Sequence, residues 1–296
     1  MASETNWYLR AIGISRAERS TLSALKDVVI NAPDSYIAVS RQTDKIFVEF
    51  SKDLSPGIGV TVRYVCDSDE EVEALTFWPY CLGRTSKKYV DVEIQGEDGE
   101  YAAIAEDIDN GNELVFSLQN PLDLGEDLQM LEVGTIRLSG LGREATIILP
   151  VYKDEFSEQL RQQEERDRKE QLRRARQGDV LAKENLEYAE EETSDIISER
   201  LAHEDFLTVI ESFLMPLDDD DTHYFILGDI TKAEKCANEL TGEKLYRLSL
   251  NVAGSPIDIC INAQDVTGLP SEGMRFMGTC WLQGRIDPNF RGGRNG

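Results

Sequence analysis

Histidine, paired cysteines and long apolar runs are scarce or absent in this sequence, and each absence narrows the classes of function. His203 and His223 are the only histidines among 296 residues, so Ser-His-Asp and metal-cluster chemistries have little to build on. Five cysteines without a CxxC spacing indicate neither a disulfide framework nor a zinc knuckle. No stretch approaches the ~18 apolar residues of a membrane span and no export signal opens the chain, which predicts a cytoplasmic protein.

Basic residues are also few for so acidic a chain. Lys and Arg number 31 against 56 Asp and Glu, which gives a formal net charge of −25. A negative field of this size repels phosphate backbones and anionic lipids, so it disfavours nucleic acid, argues against a membrane and leaves protein as the expected partner. Because GxGxxG, P-loop and GxSxG motifs are absent, the sequence indicates no cofactor and no catalytic set.

Two halves with period-2 apolar patterning flank a charged middle, and this arrangement predicts an α+β protein. Short strands separated by turn residues over residues 1–152 predict a β-rich antiparallel N-terminal domain. Residues 153–205 are predicted to form a charged helical connector. Residues 206–296 are predicted to form a small C-terminal β-barrel whose order of elements resembles an OB-type barrel.

Two local patterns in the first domain lead to specific predictions. Residues 7–14 (WYLRAIGI) read as a strand with a bulge or close approach at Gly13, followed by an amphipathic helix. Asp107 to Glu113 (DIDNGNE) has the composition of a calcium loop, but its Gly falls at the fifth position and no Glu stands at the twelfth. We therefore interpret this segment as a hairpin turn.

The charged middle has the signature of a rigid helix. Residues 153–177 contain neither Pro nor Gly, and acidic residues lead the segment while basic residues end it, as the helix dipole favours. Gly178 suits the C′ position, and Asp179 can cap a following helix. We predict a rigid helical spacer, solvated on most sides, that sets the separation of the two β-rich modules, apart or together, and is stabilised by the i,i+4 pairs Glu164–Arg168, Glu165–Lys169 and Glu170–Arg174.

The long final strand carries the first candidate site. If no bulge intervenes, strand alternation puts Arg275, Trp281, Gln283 and Arg285 on one outward face. An aromatic ring between arginines on a barrel face can stack sugars or single-stranded nucleic acid, so these four residues are the predicted ligand-binding set. The alternative is that Trp281 packs beneath a helix or the other domain, as the acidic balance of this region favours.

An aromatic cluster made of Phe77, Trp78 and Tyr80 is the second candidate site. It suits an exposed edge that binds a partner, and the alternative is core packing at the end of a strand. The acidic run at residues 218–221 (DDDD) lacks the alternating spacing of a metal cage, so no metal site is predicted.

Four short strings are similar to those of a known family. Residues 8–15 (YLRAIGIS), 149–152 (LPVY), 226–230 (ILGDI) and 281–286 (WLQGRI) together resemble a family of uncharacterised bacterial cytoplasmic proteins that carries a domain of unknown function. The strings are spread over most of the chain. The resemblance implies no activity and transfers no functional residue.

These observations favour a non-catalytic interaction or scaffold protein with two β-rich modules. Binding of a ligand or of single-stranded nucleic acid on the C-terminal barrel face is the alternative. A third hypothesis is an enzyme that uses acidic residues, because carboxylate pairs are too numerous in this chain to exclude one.

Overall fold

The computed structural model describes residues 4–16, 18–40, 45–66, 72–97, 100–124, 130–151, 155–217 and 222–288. The helices in this described part are α1 (Glu4–Ala11), α2 (Arg19–Asn31), α3 (Glu155–Arg176), α4 (Val180–Leu201) and α5 (Phe206–Val209). Its strands are β1 (Ser35–Ser40), β2 (Ile46–Ser55), β3 (Ile58–Cys66), β4 (Val72–Cys81), β5 (Lys87–Glu97), β6 (Glu100–Asp107), β7 (Glu113–Leu118), β8 (Met130–Ile148), β9 (Phe213–Pro216), β10 (His223–Ala237), β11 (Lys244–Val252), β12 (Ser255–Asn262), β13 (Val266–Thr267) and β14 (Arg275–Ile286). The predicted α+β class is confirmed.

The first sheet is the antiparallel meander β1-β2-β3-β4, as the alternating pattern predicts. Helix α2 packs on β2 and β3 and buries Leu25 and Val29. The amphipathic helix predicted after residue 15 is therefore confirmed, with its apolar stripe facing the sheet.

The strand predicted over residues 7–14 is wrong, because α1 occupies most of this segment. Gly13 has a φ of +84° and ends the helix instead of marking a bulge. Its amide donates to the carbonyl of Arg10 (2.9 Å), and the amide of Ile14 donates to the carbonyl of Leu9 (2.9 Å). These are the two hydrogen bonds of a Schellman motif, and both Leu9 and Ile14 are buried.

The second sheet combines strands from both halves of the chain. It contains ten strands with the path β11-β12-β8-β5-β6-β7-β14-β10-β9, with β13 beside β8. The longest pairing joins β8 to β14, antiparallel, from Arg275 opposite Ile148 to Ile286 opposite Ile136. The predicted boundary at 205 lies between α4 and α5, and the boundary at 152 lies outside the described residues. The described parts on either side share this sheet and one hydrophobic core.

Two rings of paired strands share the β8–β14 pair. One ring runs from β8 through β12, β11 and β10 to β14. The other runs from β8 through β5, β6 and β7 to β14. An OB-like barrel is not confirmed, and the ring that holds the C-terminal strands needs β8, which precedes the helices.

A second hydrophobic core joins the two sheets through α1. Its buried members include Leu9 from α1, Val29 from α2, Val60 from the first sheet and Trp281 from the second. Helix α1 contacts β8 and β12 of the second sheet, and β4 of the first sheet contacts the same two strands, so removing α1 would expose apolar surface of the second sheet.

The shared pair leaves no room for a side chain at Gly278. A Cβ added there would overlap the carbonyl oxygen of Glu144 in the facing strand, which is backbone and cannot move aside. We expect Gly278→Ala to lower the free energy of unfolding by about 1–3 kcal/mol, measured by urea denaturation. The control is Gly134→Ala in β8, where the nearest atom is a side-chain methyl of Val92 at 3.0 Å. Equal losses in the two variants would contradict the close β8–β14 approach.

Candidate functional site

The two predicted sites meet in the structure. The rings of Trp78 and Trp281 lie 4.7 Å apart in an edge-to-face arrangement. The side-chain amide of Gln283 donates to the carbonyl of Pro79 (2.9 Å). Residues expected on two surfaces separated by a spacer therefore pack against each other, between β4 and β14.

The outward position predicted for Trp281 is wrong. Its side chain is buried, with 6% of its surface exposed, and its indole nitrogen donates to the hydroxyl of Ser117 (2.7 Å). Tyr8 of α1 covers it, with ring centroids 4.4 Å apart. The register between β14 and β8 shifts between Thr279 and Cys280, but the extra residue, Arg143, is on β8, so Trp281 keeps its alternating face and this face is covered. Packing beneath a helix, the stated alternative, is what the structure has.

The other members of the ligand-binding set are also engaged. Gln283 is fully buried, and Arg285 forms an ion pair with Asp123 (2.6 Å) while about a third of its side chain stays exposed. Ligand binding by these residues stays a prediction, and it lacks the exposed stacking face that it assumed.

The predicted aromatic edge is partly inside the protein. Phe77 and Trp78 are half-buried, whereas Tyr80 is buried and its hydroxyl donates to Asp53 (2.6 Å). Burial and this carboxylate raise the pKa of Tyr80, so its hydroxyl keeps its proton. Within the described part of the chain the indole nitrogen of Trp78 has no hydrogen-bond partner. Partner binding by these three residues stays a prediction.

The buried side chain of Arg275 connects the two chain segments at the base of the helical segment. Its guanidinium donates to the carbonyls of Leu149 (3.0 Å) and Leu207 (2.9 Å), and at longer range to Ile210 (3.4 Å). Leu149 lies before α3, whereas Leu207 and Ile210 lie after α4. One side chain on β14 thus fixes both chain segments that lead to and from the helices.

Five aromatic rings form a cluster that the sequence did not predict. It contains all three tryptophans, Trp7, Trp78 and Trp281, together with Tyr8 and His223. The hydroxyl of Tyr8 lies 2.6 Å from Nε2 of His223, and the tautomer of the imidazole decides which atom donates. These two residues are 215 positions apart, so no local spacing could reveal the contact.

A polar network holds the segment after α1 on the C-terminal strands. Glu243 accepts hydrogen bonds from the amide and hydroxyl of Ser15 (3.1 and 2.6 Å) and from Asn262 (2.8 Å). Burial alone would raise the pKa of Glu243, but these donors outweigh it and hold the pKa below its usual range. Arg10 forms a two-pronged ion pair with Asp265 beside them.

The charged middle is helical as predicted, and its two helices pack against each other as a hairpin. Helices α3 and α4 fold back on each other at Gly178, which has a φ of +90°, and Asp179 caps α4 by accepting from the amide of Ala182 (3.2 Å). These two local predictions are confirmed. Arg168 on α3 bonds Glu190 on α4, which closes the helical hairpin.

Helix α3 docks on the turn between β6 and β7 through its basic side chains. Arg168 donates to the carbonyl of Asn110, Arg176 donates to the carbonyl of Ile108 (2.8 Å), and Lys169 forms an ion pair with Asp109 (2.5 Å). Arg168 and Lys169 therefore bind the body of the protein rather than the glutamates predicted one helical turn away. Ordering these two long side chains costs conformational entropy. Their hydrogen bond and ion pair with the β6–β7 turn offset that cost.

The turn with calcium-loop composition is a hairpin turn, as predicted. Its first residue, Asp107, is fully buried and accepts hydrogen bonds from the ammonium of Lys87 (2.6 Å) and the hydroxyl of Ser255 (2.6 Å). An ammonium group thus neutralises this carboxylate. A metal-ligating group of three or more His, Cys, Asp or Glu is not found among the described residues, and the acidic run 218–221 lies outside them.

An open cleft of about 420 Å³ lies between α3 and the turns beneath it. Basic side chains dominate its lining: Lys87, Arg166, Arg168 and Lys169, against Asp109 and Glu165. None of the described helices is apolar enough over a sufficient length to cross a bilayer.

The outer face of α4 exposes large apolar side chains. Leu181, Tyr188 and Ile196 have 66%, 67% and 52% of their surface exposed. Apolar patches on a surface often mark interaction sites. The cleft and this face are the two features of the hairpin that can hold a ligand or partner.

Comparison with known proteins identifies the family. Residues 9–284 match the model described as "Domain of unknown function, E. rectale Gene description (DUF3881)". Because the match covers most of the chain, the protein belongs to this family, and the resemblance noted in the sequence is confirmed. Neither curated proteins nor solved structures gave a match.

Three of the family-like strings contact β14, which also contains the fourth. Tyr8 packs on Trp281, the carbonyl of Leu149 accepts from Arg275, and residues 226–230 lie on β10, the neighbour of β14. The four family-like strings therefore contain residues that stabilise the fold.

We expect Arg275→Lys to lower the free energy of unfolding by about 2 kcal/mol, because a lysine cannot satisfy carbonyls from both segments. Arg285→Lys on the same strand is the control, with a loss below about 1 kcal/mol, since its ion pair is partly exposed. Urea denaturation of both variants measures this difference. An equal loss in the free energy of unfolding for Arg285→Lys and Arg275→Lys would contradict the role of Arg275 in connecting the two segments.

The lowered pKa of Glu243 predicts a pH-dependent contribution to stability. The ionised carboxylate contributes fully above the unfolded-state pKa of about 4.3, and the contribution is lost as the pH falls through the lower folded-state pKa. Glu243→Gln should cost about 1 kcal/mol near neutral pH and progressively less in acid, as urea denaturation across this range would show. Glu272→Gln, at an exposed loop position, should cost less than about 0.5 kcal/mol. A Glu243→Gln loss that does not change with pH would contradict the assignment.

Proposed function

We propose that the protein is a non-catalytic interaction protein that binds a basic amphipathic helix of a partner protein on α4. Three exposed apolar side chains on this helix, Leu181, Tyr188 and Ile196, carry the proposal. The expected cytoplasmic setting and a protein partner are part of it.

The three side chains lie on one side of α4, with the acidic residues Glu192 and Asp195 between Tyr188 and Ile196. Leu181, Tyr188 and Ile196 are spaced seven and eight positions apart, which puts them on one face of a helix with 3.6 residues per turn. At 1.5 Å per residue they span about 22 Å, the length of about four helical turns. A partner helix with apolar residues at matching intervals can bury all three side chains.

The negative charge of α4 favours a basic partner. The helix carries seven acidic residues against Lys183 and Arg200. An amphipathic partner therefore needs Lys or Arg beside its apolar face. A second copy of this chain, also at −25, would be repelled, as would nucleic acid.

The hairpin presents this face on a fixed support. Helix α3 binds the β6–β7 turn, and Arg275 holds both connections at the base. Leu181, Tyr188 and Ile196 lie on α4, the other helix of the hairpin. A preoriented surface loses less entropy on binding than a flexible one.

Two designed helical peptides with the same apolar face test this proposal, one with Lys and one with Glu on its polar face. Fluorescence anisotropy should show binding of the Lys peptide only, weaker at high salt. Tyr188→Ser should weaken the affinity about tenfold or more, since a central aromatic side chain contributes about 1.4 kcal/mol or more.

Leu160→Ser supplies the control, because Leu160 is also exposed (48%) but lies on α3. Its affinity for the Lys peptide should match that of the unmodified protein. Equal binding of the two peptides, or an equal loss in Leu160→Ser and Tyr188→Ser, would contradict the proposal.

A further inference from the structure

We infer that the cleft beneath α3 binds a small multivalent oxyanion, with phosphorylated metabolites as the chemical class. This site is separate from the apolar face of α4. We base the inference on the position, charge and rigidity of the side chains around the cleft.

Three parts of the chain build the cleft. Helix α3 forms one wall, the β6–β7 turn with Asp109 and Asn110 forms another, and the β11–β12 turn with Ala253 and Gly254 closes it beside Lys87. A volume of about 420 Å³ is within the range of small-molecule sites. The cleft is too small for a folded partner, but it can admit a ligand with one or two charged groups.

The lining gathers four basic side chains in an acidic protein. Lys87 pairs with Asp107, Arg168 with Glu190 and Lys169 with Asp109, so Arg166 is the lining cation that forms no ion pair with the described part of the chain. Glu165 is also paired with Arg161 on its own helix. The guanidinium of Arg166 therefore gives the cleft a local positive charge that attracts an anion.

The floor of the cleft is preorganised. Lys87 is fixed by Asp107 and by the carbonyl of Gly254 (2.9 Å). Asn110 donates to the carbonyl of Ala253 (2.7 Å), which holds the two turns together. Ala253 has a φ of +49°, a conformation that this network maintains. These contacts fix the shape of the floor, so a ligand can bind without further ordering of the two turns.

Arg166 is the donor available to a ligand. Its Nε donates to the carbonyl of Gln162 (3.0 Å) on the same helix. Its two terminal nitrogens make no hydrogen bond or ion pair with the described part of the chain. A guanidinium presents paired donors that match phosphate oxygens.

Asp109 explains why the ligand must be multivalent. Its carboxylate lies 2.5 Å from the ammonium of Lys169 and 3.6 Å from that of Lys87, so it already occupies the position of an anion. A ligand with a single charge would only replace one carboxylate by another. A ligand with two or more charges can engage Arg166 together with the lysines.

Isothermal titration calorimetry of the full chain at constant ionic strength tests the inference, with inorganic pyrophosphate and citrate as probes. Pyrophosphate should bind saturably, and Arg166→Gln should weaken its affinity about tenfold, or about 1.4 kcal/mol. Asp109→Asn should bind pyrophosphate more tightly, since the competing carboxylate is gone. A purely structural role for these residues would not produce this gain.

Arg173→Gln is the matched control, because Arg173 lies on α3 but pairs with Glu170 and is absent from the lining. Its affinity should remain within about twofold of the unmodified protein, or about 0.4 kcal/mol. Absence of saturable binding, or equal losses in Arg166→Gln and Arg173→Gln, would overturn the inference. Binding of citrate without pyrophosphate would overturn the assignment to phosphorylated ligands.

Discussion

Strands β8 and β14 pair along nearly their whole common length, and both rings of the second sheet depend on this pairing. Arg275 lies opposite Ile148 at one end and Ile286 opposite Ile136 at the other. Both rings of strands close through this pair, and Trp281 on β14 connects the core of the second sheet to that of the first. The two strands lie on opposite sides of the helical segment in the sequence, so the core around them contains residues from both parts of the chain.

The same pairing makes the helical hairpin an insertion rather than a spacer. The chain leaves the sheet at the end of β8, forms α3 and α4, and returns beside β14, where Arg275 holds both connections. The surfaces that a spacer would separate are therefore buried together. The hairpin itself retains the exposed apolar face and the basic cleft, so the proposed interactions lie there.

Local patterns were predictable from the sequence, and long-range pairings were not. The stop at Gly178, the cap at Asp179 and the β1–β2 meander depend on residues within a few positions of each other. Alternation also identified β14 as a strand. It could not show that both faces of β14 are covered, because the covering residue Tyr8 lies at the other end of the chain. For the same reason Arg168 and Lys169 were assigned to neighbouring glutamates, although they bind a turn about 60 positions earlier.

Hydrogen exchange of the full chain, followed by mass spectrometry, tests most directly whether the two halves form one unit. Peptides from β8 and β14 should show the same opening free energy, equal to that of global unfolding, because breaking their pairing opens both rings. A β14 peptide that exchanges at a much lower free energy than its β8 partner would show that the C-terminal strands open independently. That result would contradict the shared pair as the basis of the fold.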